Sequence, residues 1–147
     1  MTWYVKAFHE LTATEVYTIL KERTDVFVVE QNCPYPEVDG KDLKSYHLYK
    51  VEQDEIVAYA RLLPKGVSYE EASIGRVLVK KEYRGRGLAQ ELLKRSLAYL
   101  EQSLEETTIK IQAQDYLRDF YGSFGFKAIS DTYLEDGIPH VDMLLTK

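Results

Sequence analysis

The chain has 147 residues, 45% hydrophobic and 29% charged, enough for one independently folded core and unlike a disordered, collagen-like or coiled-coil protein. Its net charge of −5 at pH 7 gives no overall basic footprint for a phosphate backbone, which argues against nucleic acid as a partner. The one cysteine, Cys33, excludes an internal disulfide and a cysteine-held zinc and fits a reducing, cytoplasmic setting, and no apolar stretch approaches the length of a membrane span.

In chain order, residues 3–8 read as a strand. Thr12-Ala13-Thr14-Glu15 has the form of a capping box, and Val16, Ile19, Leu20 and Phe27 keep one helical face apolar, which predicts a helix over 12–29. Residues 30–44 carry Pro34, Pro36 and Gly40 among acidic side chains and read as a long connection. Residues 46–51 and 56–63 read as two strands of a hairpin, ended by Pro64. A strand over 73–79 runs through a Gly/Arg turn into a helix whose Leu88, Leu92, Leu93, Leu97 and Leu100 share a face. Residues 107–113 are strand-like and 116–124 form a short helix. The tail reads as a hairpin turning at Asp136-Gly137. With no repeat or linker, the expectation is a single domain over 1–147 built on a mixed α/β sheet.

The segment most telling of chemistry is Lys80-Lys81-Glu82-Tyr83-Arg84-Gly85-Arg86-Gly87-Leu88-Ala89, where cations crowd one turn of an acidic chain. Gly85 and Gly87 can take positive φ and turn N–H groups inward, and the helix that follows adds unpaired N-terminal donors and the positive end of its dipole. Such a turn can cradle a pyrophosphate, with Arg84 and Arg86 adding charge-assisted hydrogen bonds and Ala89 keeping the first helical turn small. The plain alternative is a solvated strand-to-helix turn. It is neither a Walker loop, which needs Gly-Lys-Ser/Thr at its end, nor the dinucleotide fingerprint, which needs a third glycine near Gln90.

Arg84, Gly87 and Ala89 fill the Gln/Arg-x-x-Gly-x-Gly/Ala signature between fourth strand and third helix of the GNAT N-acetyltransferase family, and the sequence resembles that family again in Phe120-Tyr121-Gly122-Ser123-Phe124-Gly125-Phe126. The runs Phe27-Val28-Val29-Glu30-Gln31, Arg61-Leu62-Leu63-Pro64 and Glu135-Asp136-Gly137-Ile138-Pro139-His140 extend the resemblance, to the ElaA-like branch, over nearly the whole chain. The resemblance implies a mixed, mostly antiparallel sheet of about seven strands with about four helices, splayed between strands 4 and 5. It further implies that acetyl-CoA lies in the splay, its pantetheine against Val77, Leu78 and Val79 and its pyrophosphate on Arg84, Gly85, Arg86, Gly87, Leu88 and Ala89. Gln114 either bonds the pantetheine or caps the next helix. An acceptor amine attacks the thioester directly, and Tyr121 matches the general acid that protonates the leaving thiolate.

Many relatives place a glutamate base on the fourth strand. Here that stretch is Ser73-Ile74-Gly75-Arg76, without a carboxylate, so the base comes through water or from elsewhere: His47, His140, Glu30 and Glu37 are the candidates, with His140 selected because histidine titrates in a useful range. The acidic loop bearing Glu30, Glu37, Asp39 and Asp42, with His47, is a candidate acceptor wall for a cationic amine, although solvation explains it equally. No metal is expected, and a homodimer is an open option. The competing function is a non-catalytic acyl-CoA-binding sensor or interaction module.

Overall fold

The computed structural model describes residues 2–32 and 37–146; Cys33, Pro34 and Pro36 of the long connection lie outside the described residues. β1 (Thr2–Ala7) leads through a 3₁₀ turn into α1 (Ala13–Arg23). The capping box forms in full: Thr12 Oγ1 accepts from the Glu15 N–H at 3.1 Å and Glu15 Oε1 from the Thr12 N–H at 2.8 Å, which satisfies two donors that a helix start leaves open. The helical run does not stop at Arg23 but widens into a π-helical segment, Thr24–Glu30.

β2 (Tyr46–Glu52), β3 (Glu55–Leu63) and β4 (Ser73–Val79) follow, then α2 (Leu88–Ala98), β5 (Thr108–Gln114), α3 (Arg118–Gly122), β6 (Lys127–Ala128), β7 (Tyr133–Glu135) and β8 (Ile138–Thr146). The strands form two antiparallel sheets, ordered β1-β2-β3-β4 and β5-β8-β6, with β7 paired to β8. This mixed α/β arrangement of antiparallel sheets and helices is the one the sequence resemblance implies. The tally among the described residues is eight strands and three α-helices, because the first helical run is unbroken and the short β6 precedes the final hairpin.

The leucine stripe of α2 explains why the sheets share a core. Leu92, Leu93 and Leu97, with Leu100 of the π-helical turn that continues α2, pack with Leu48, Ala60 and Leu62 of the first sheet and with Ile109, Ile111, Val141 and Met143 of the second. Each such leucine, fully buried, contributes roughly 1.5–3 kcal/mol. On the opposite face of the first sheet, Ile19 of α1 packs with Tyr49, Ile56, Tyr59 and Leu78. β3 is thus covered on both sides, and all of it after Glu55 is buried.

Among the described residues the backbones of the two sheets pair at one place. Ala72 and Ile109 form an isolated parallel bridge, and the Lys110 N–H donates to the Ala72 carbonyl at 2.8 Å. Past that contact β4 and β5 have no further pairing among the described residues, so the edge of β4 that faces β5 is left open. The splay expected between strands 4 and 5 is therefore present.

Candidate active site

The splay opens into a cleft of about 860 Å³, walled by β4 on one side and by β5 and α3 on the other. The turn between β4 and α2 closes one end. Gly85 and Gly87 stand at φ 81° and 77°, the left-handed region in which a Cβ is costly. Gly87 is also the N-cap of α2 and offers no side chain to cap it. The first helical N–H to donate to a backbone partner among the described residues is that of Glu91, to the Gly87 carbonyl at 3.2 Å, so the Leu88, Ala89 and Gln90 donors and the dipole end remain for an anion. Gly85, Gly87, Leu88 and Ala89 line the cleft.

The two arginines of the turn differ. Arg84 lines the cleft, but its Nε donates to the Val79 carbonyl at 2.9 Å and its two terminal nitrogens to Glu30. Arg86 lies over the Tyr83 ring at 5.0 Å, outside the cleft wall.

Val77, Leu78 and Val79 all line the cleft. The β3–β4 register shifts between Tyr59 and Arg61, leaving a bulge at Arg76, whose φ is 51°. A non-glycine residue in that conformation needs a compensating hold. Glu37 provides it, accepting from Arg76 Nε at 3.0 and 2.8 Å.

That contact belongs to a buried ionic network, unforeseen in the sequence. Arg23, fully buried, donates to Glu37 at 2.7 Å and to Asp42 at 2.6 Å. Arg61 donates to Asp39 at 2.9 and 3.0 Å and to Asp42 at 3.2 Å. Three arginines, with Arg76, thus balance three carboxylates. Burial alone would raise the Asp39 carboxyl, but the hydrogen bonds from Arg61 and the Lys41 N–H, with the Arg61 and Arg76 charges, hold it down at about 2.

The acceptor wall read from the acidic loop needs correction on this geometry. Glu37 is buried, its carboxylate taken up by Arg23 and Arg76. His47 is 1% exposed. Its Nδ1 meets the Tyr59 hydroxyl at 2.6 Å and its Nε2 the Asp42 carbonyl at 3.0 Å, which uses both ring nitrogens. Neither residue belongs to the cleft lining, whereas Glu30 and Asp39 do. Gln114 stands at the N-cap of the 3₁₀ turn that follows β5, but its side chain makes no capping hydrogen bond; its Nε2 donates instead to Gln31 Oε1 at 3.3 Å, bringing β5 to the end of the π-helical segment.

Tyr121 and His140 enter the same cleft from the far wall. Tyr121 sits edge-on to Phe120 and Phe126, at 5.3 and 6.0 Å. Its hydroxyl has no hydrogen-bond partner among the described residues, and burial, with Tyr116 nearby, pushes it up to about 12. Sequence reading missed Ser68, Tyr69, Gln112 and Tyr116, which also line the cleft; isolated polar side chains on a loop and a strand edge carry no pattern that would mark them.

Residues 10–147 match the family model described as "Acetyltransferase (GNAT) domain". The chain belongs to the GNAT acetyltransferase family. It is 40% identical to protein ElaA of Escherichia coli K12 over 143 residues, 96% of this chain and 94% of that one. It superposes with a TM-score of 0.94 on the crystal structure of an acyl-CoA N-acyltransferase from Pseudomonas aeruginosa, 41% identical, covering 99% of each chain. The fold, at a TM-score of 0.71 and 13% identity over 97% of this chain and 96% of the other, is also that of an aminoglycoside 6′-N-acetyltransferase crystallised with coenzyme A. A GNAT protein is an N-acetyltransferase that moves an acyl group from coenzyme A, and this chain is such an enzyme.

Proposed function

We propose that this protein transfers an acetyl group from acetyl-CoA to a primary amine by direct attack on the thioester. The observation that carries the reading is the cleft itself, which joins an open β4 edge, an uncapped helix start behind a positive-φ glycine turn, and the Tyr121 phenol. The donors of Leu88 and Ala89 with Gly85 and Gly87 hold the pyrophosphate, assisted by Arg84. The backbone edge of β4 along Val77 to Val79 that faces away from β3 bonds the pantetheine as a partner strand would, with Gln114 opposite and the Val79 carbonyl already taken by Arg84. When the C–S bond breaks, the phenol of Tyr121 supplies the proton that the departing sulfur takes. Its raised value keeps it protonated until that moment. Among the described residues no group of three or more His, Cys, Asp or Glu side chains is placed to hold a metal ion.

The test is the melting temperature with and without acetyl-CoA. At one hundred times its dissociation constant a ligand adds about 2.7 kcal/mol, a rise of about 5–10 °C for this size. Release of free thiol that depends on an added primary amine then supports transfer. No rise at any concentration would remove the donor assignment.

A further inference from the structure

The proposed reaction lacks a base, because β4 carries no carboxylate facing the cleft. The acids nearest the loop are engaged: Glu30 by Arg84, Glu37 by Arg23 and Arg76, Asp39 by Arg61. His47 spends both ring nitrogens inside the protein. His140 differs from all of these. It lines the cleft at the start of β8, opposite Gln114 of β5 and Tyr133 of β7 in register.

Its ring is held in one orientation and one tautomer. Nδ1 lies 2.7 Å from the Ile138 carbonyl. A carbonyl only accepts, so Nδ1 carries the proton and the lone pair of the neutral ring sits on Nε2. Nε2 has no partner among the described residues. The Tyr133 ring stacks on the imidazole at 6.4 Å and 27°, and Tyr133 is itself fixed through its hydroxyl, which donates to Asp142. A backbone carbonyl and a pinned aromatic thus fix the ring in the cleft wall and leave Nε2 as its one nitrogen without a partner among the described residues. Glu135 and Asp136, in the same hairpin, stand at the exposed rim and also line the cleft, where their charge favours entry of a cation.

Resting on the function proposed above, we infer that His140 Nε2 is the general base and that the acceptor amine enters past the β7–β8 hairpin. The ammonium group gives one proton to Nε2. The freed nitrogen lone pair then forms the C–N bond to the thioester carbonyl carbon, the C–S bond breaks with its electron pair on sulfur, and sulfur takes the Tyr121 proton. The second nitrogen proton returns to the tyrosine oxygen through water, and His140 releases its proton to solvent. One amide, one thiol and one proton result from one ammonium and one thioester.

The experiment uses the full chain with acetyl-CoA and a pool of spermidine, cadaverine, glucosamine and a lysine-containing peptide. In His140→Asn the amide keeps the donation to Ile138 but supplies no base. Its kcat for thiol release falls by about 10²-fold or more, while calorimetric affinity for acetyl-CoA stays at the wild-type value. In His140→Ala, added imidazole restores part of the rate. Wild-type turnover by His140→Asn with acetyl-CoA still bound overturns the base and leaves the donor site standing. Failure of the wild type to bind acetyl-CoA brings down the functional reading and the base with it. Long-range ¹H–¹⁵N NMR of the acetyl-CoA complex needs no acceptor: the Nδ1–H tautomer at His140 upholds the assignment, and an Nε2–H tautomer refutes it even if no amine in the pool is turned over.

Discussion

Arg84 and Glu30, 54 positions apart, clasp each other across the mouth of the cleft through two hydrogen bonds of 2.8 and 3.1 Å. The same guanidinium also holds the Val79 carbonyl at the end of β4. The contact therefore couples three pieces of the donor site: the strand, the glycine turn and the π-helical segment that carries Glu30. Under the proposed function, a pyrophosphate arriving at the turn competes with the Glu30 carboxylate for the terminal nitrogens of Arg84.

Glu30→Gln removes that competitor. The pair is partly exposed, and such pairs contribute up to about 1 kcal/mol, so the dissociation constant for acetyl-CoA falls by up to about fivefold. Isothermal titration calorimetry of the two proteins measures it. Weaker binding by the variant means that Glu30 orders the turn for the ligand.

Tyr121→Phe deletes one hydroxyl that bonds nothing among the described residues and keeps the ring contacts with Phe120 and Phe126. Turnover falls by about 10²–10⁴-fold, while the melting temperature and acetyl-CoA affinity stay close to wild type. Loss of binding in parallel with turnover makes the tyrosine a packing residue of α3.

Asp42→Ala leaves Arg23, which is fully buried, without one of its two carboxylate partners, and takes a second partner from Arg61. Stranding a buried charge costs about 3–5 kcal/mol, a large share of a domain's stability. Urea unfolding monitored by circular dichroism reads the loss. A change below about 1 kcal/mol means that water replaces the carboxylate.

Acid weakens the fold in two stages. Burial first, then the charges of Arg23 and Arg61, lowers His47 from 6.5, so the unfolded chain takes up a proton below that pH before the folded one does and stability begins to fall. Glu15 is held at about 2 against an ordinary 4.5: burial opposes this, but the Thr12 N–H, the Tyr49 hydroxyl and Lys6 outweigh it. Its contribution is complete above about pH 4.5 and is lost as pH drops toward 2, as is that of Asp39 from 3.8. Unfolding free energies measured by urea from pH 8 to 2.5 decline accordingly, and Glu15→Gln flattens the lower stage. A wild-type profile independent of pH below 6.5 refutes the account.

What the sequence reveals and what it hides divides along chain separation. The Thr12 capping box, the Gly85 and Gly87 turn and the Asp136-Gly137 hairpin are local, and each adopts the conformation its residue types favour, down to φ of 52° and 77° at the last pair. The carboxylates of residues 37–42 look like a solvated or amine-binding face because the arginines that neutralise them come from α1, β3 and β4. Spacing carries no trace of such pairing. The same holds for the tautomer of His140, which depends on where the Ile138 carbonyl points, and for Tyr69, which reaches the cleft from the β3–β4 loop.

Among the described residues, one backbone hydrogen bond, from Lys110 to Ala72, stitches the two sheets at the base of the splay. A ladder would fix the spacing of β4 and β5 over their whole length, whereas here the two diverge like leaves from one paired end. The width of the gap is then governed by whatever fills it and by the leucines of α2 that both leaves grip. Under the proposed function, the room left for an acyl chain is then set in part by how stiffly Leu92 and Leu93 hold that shared core.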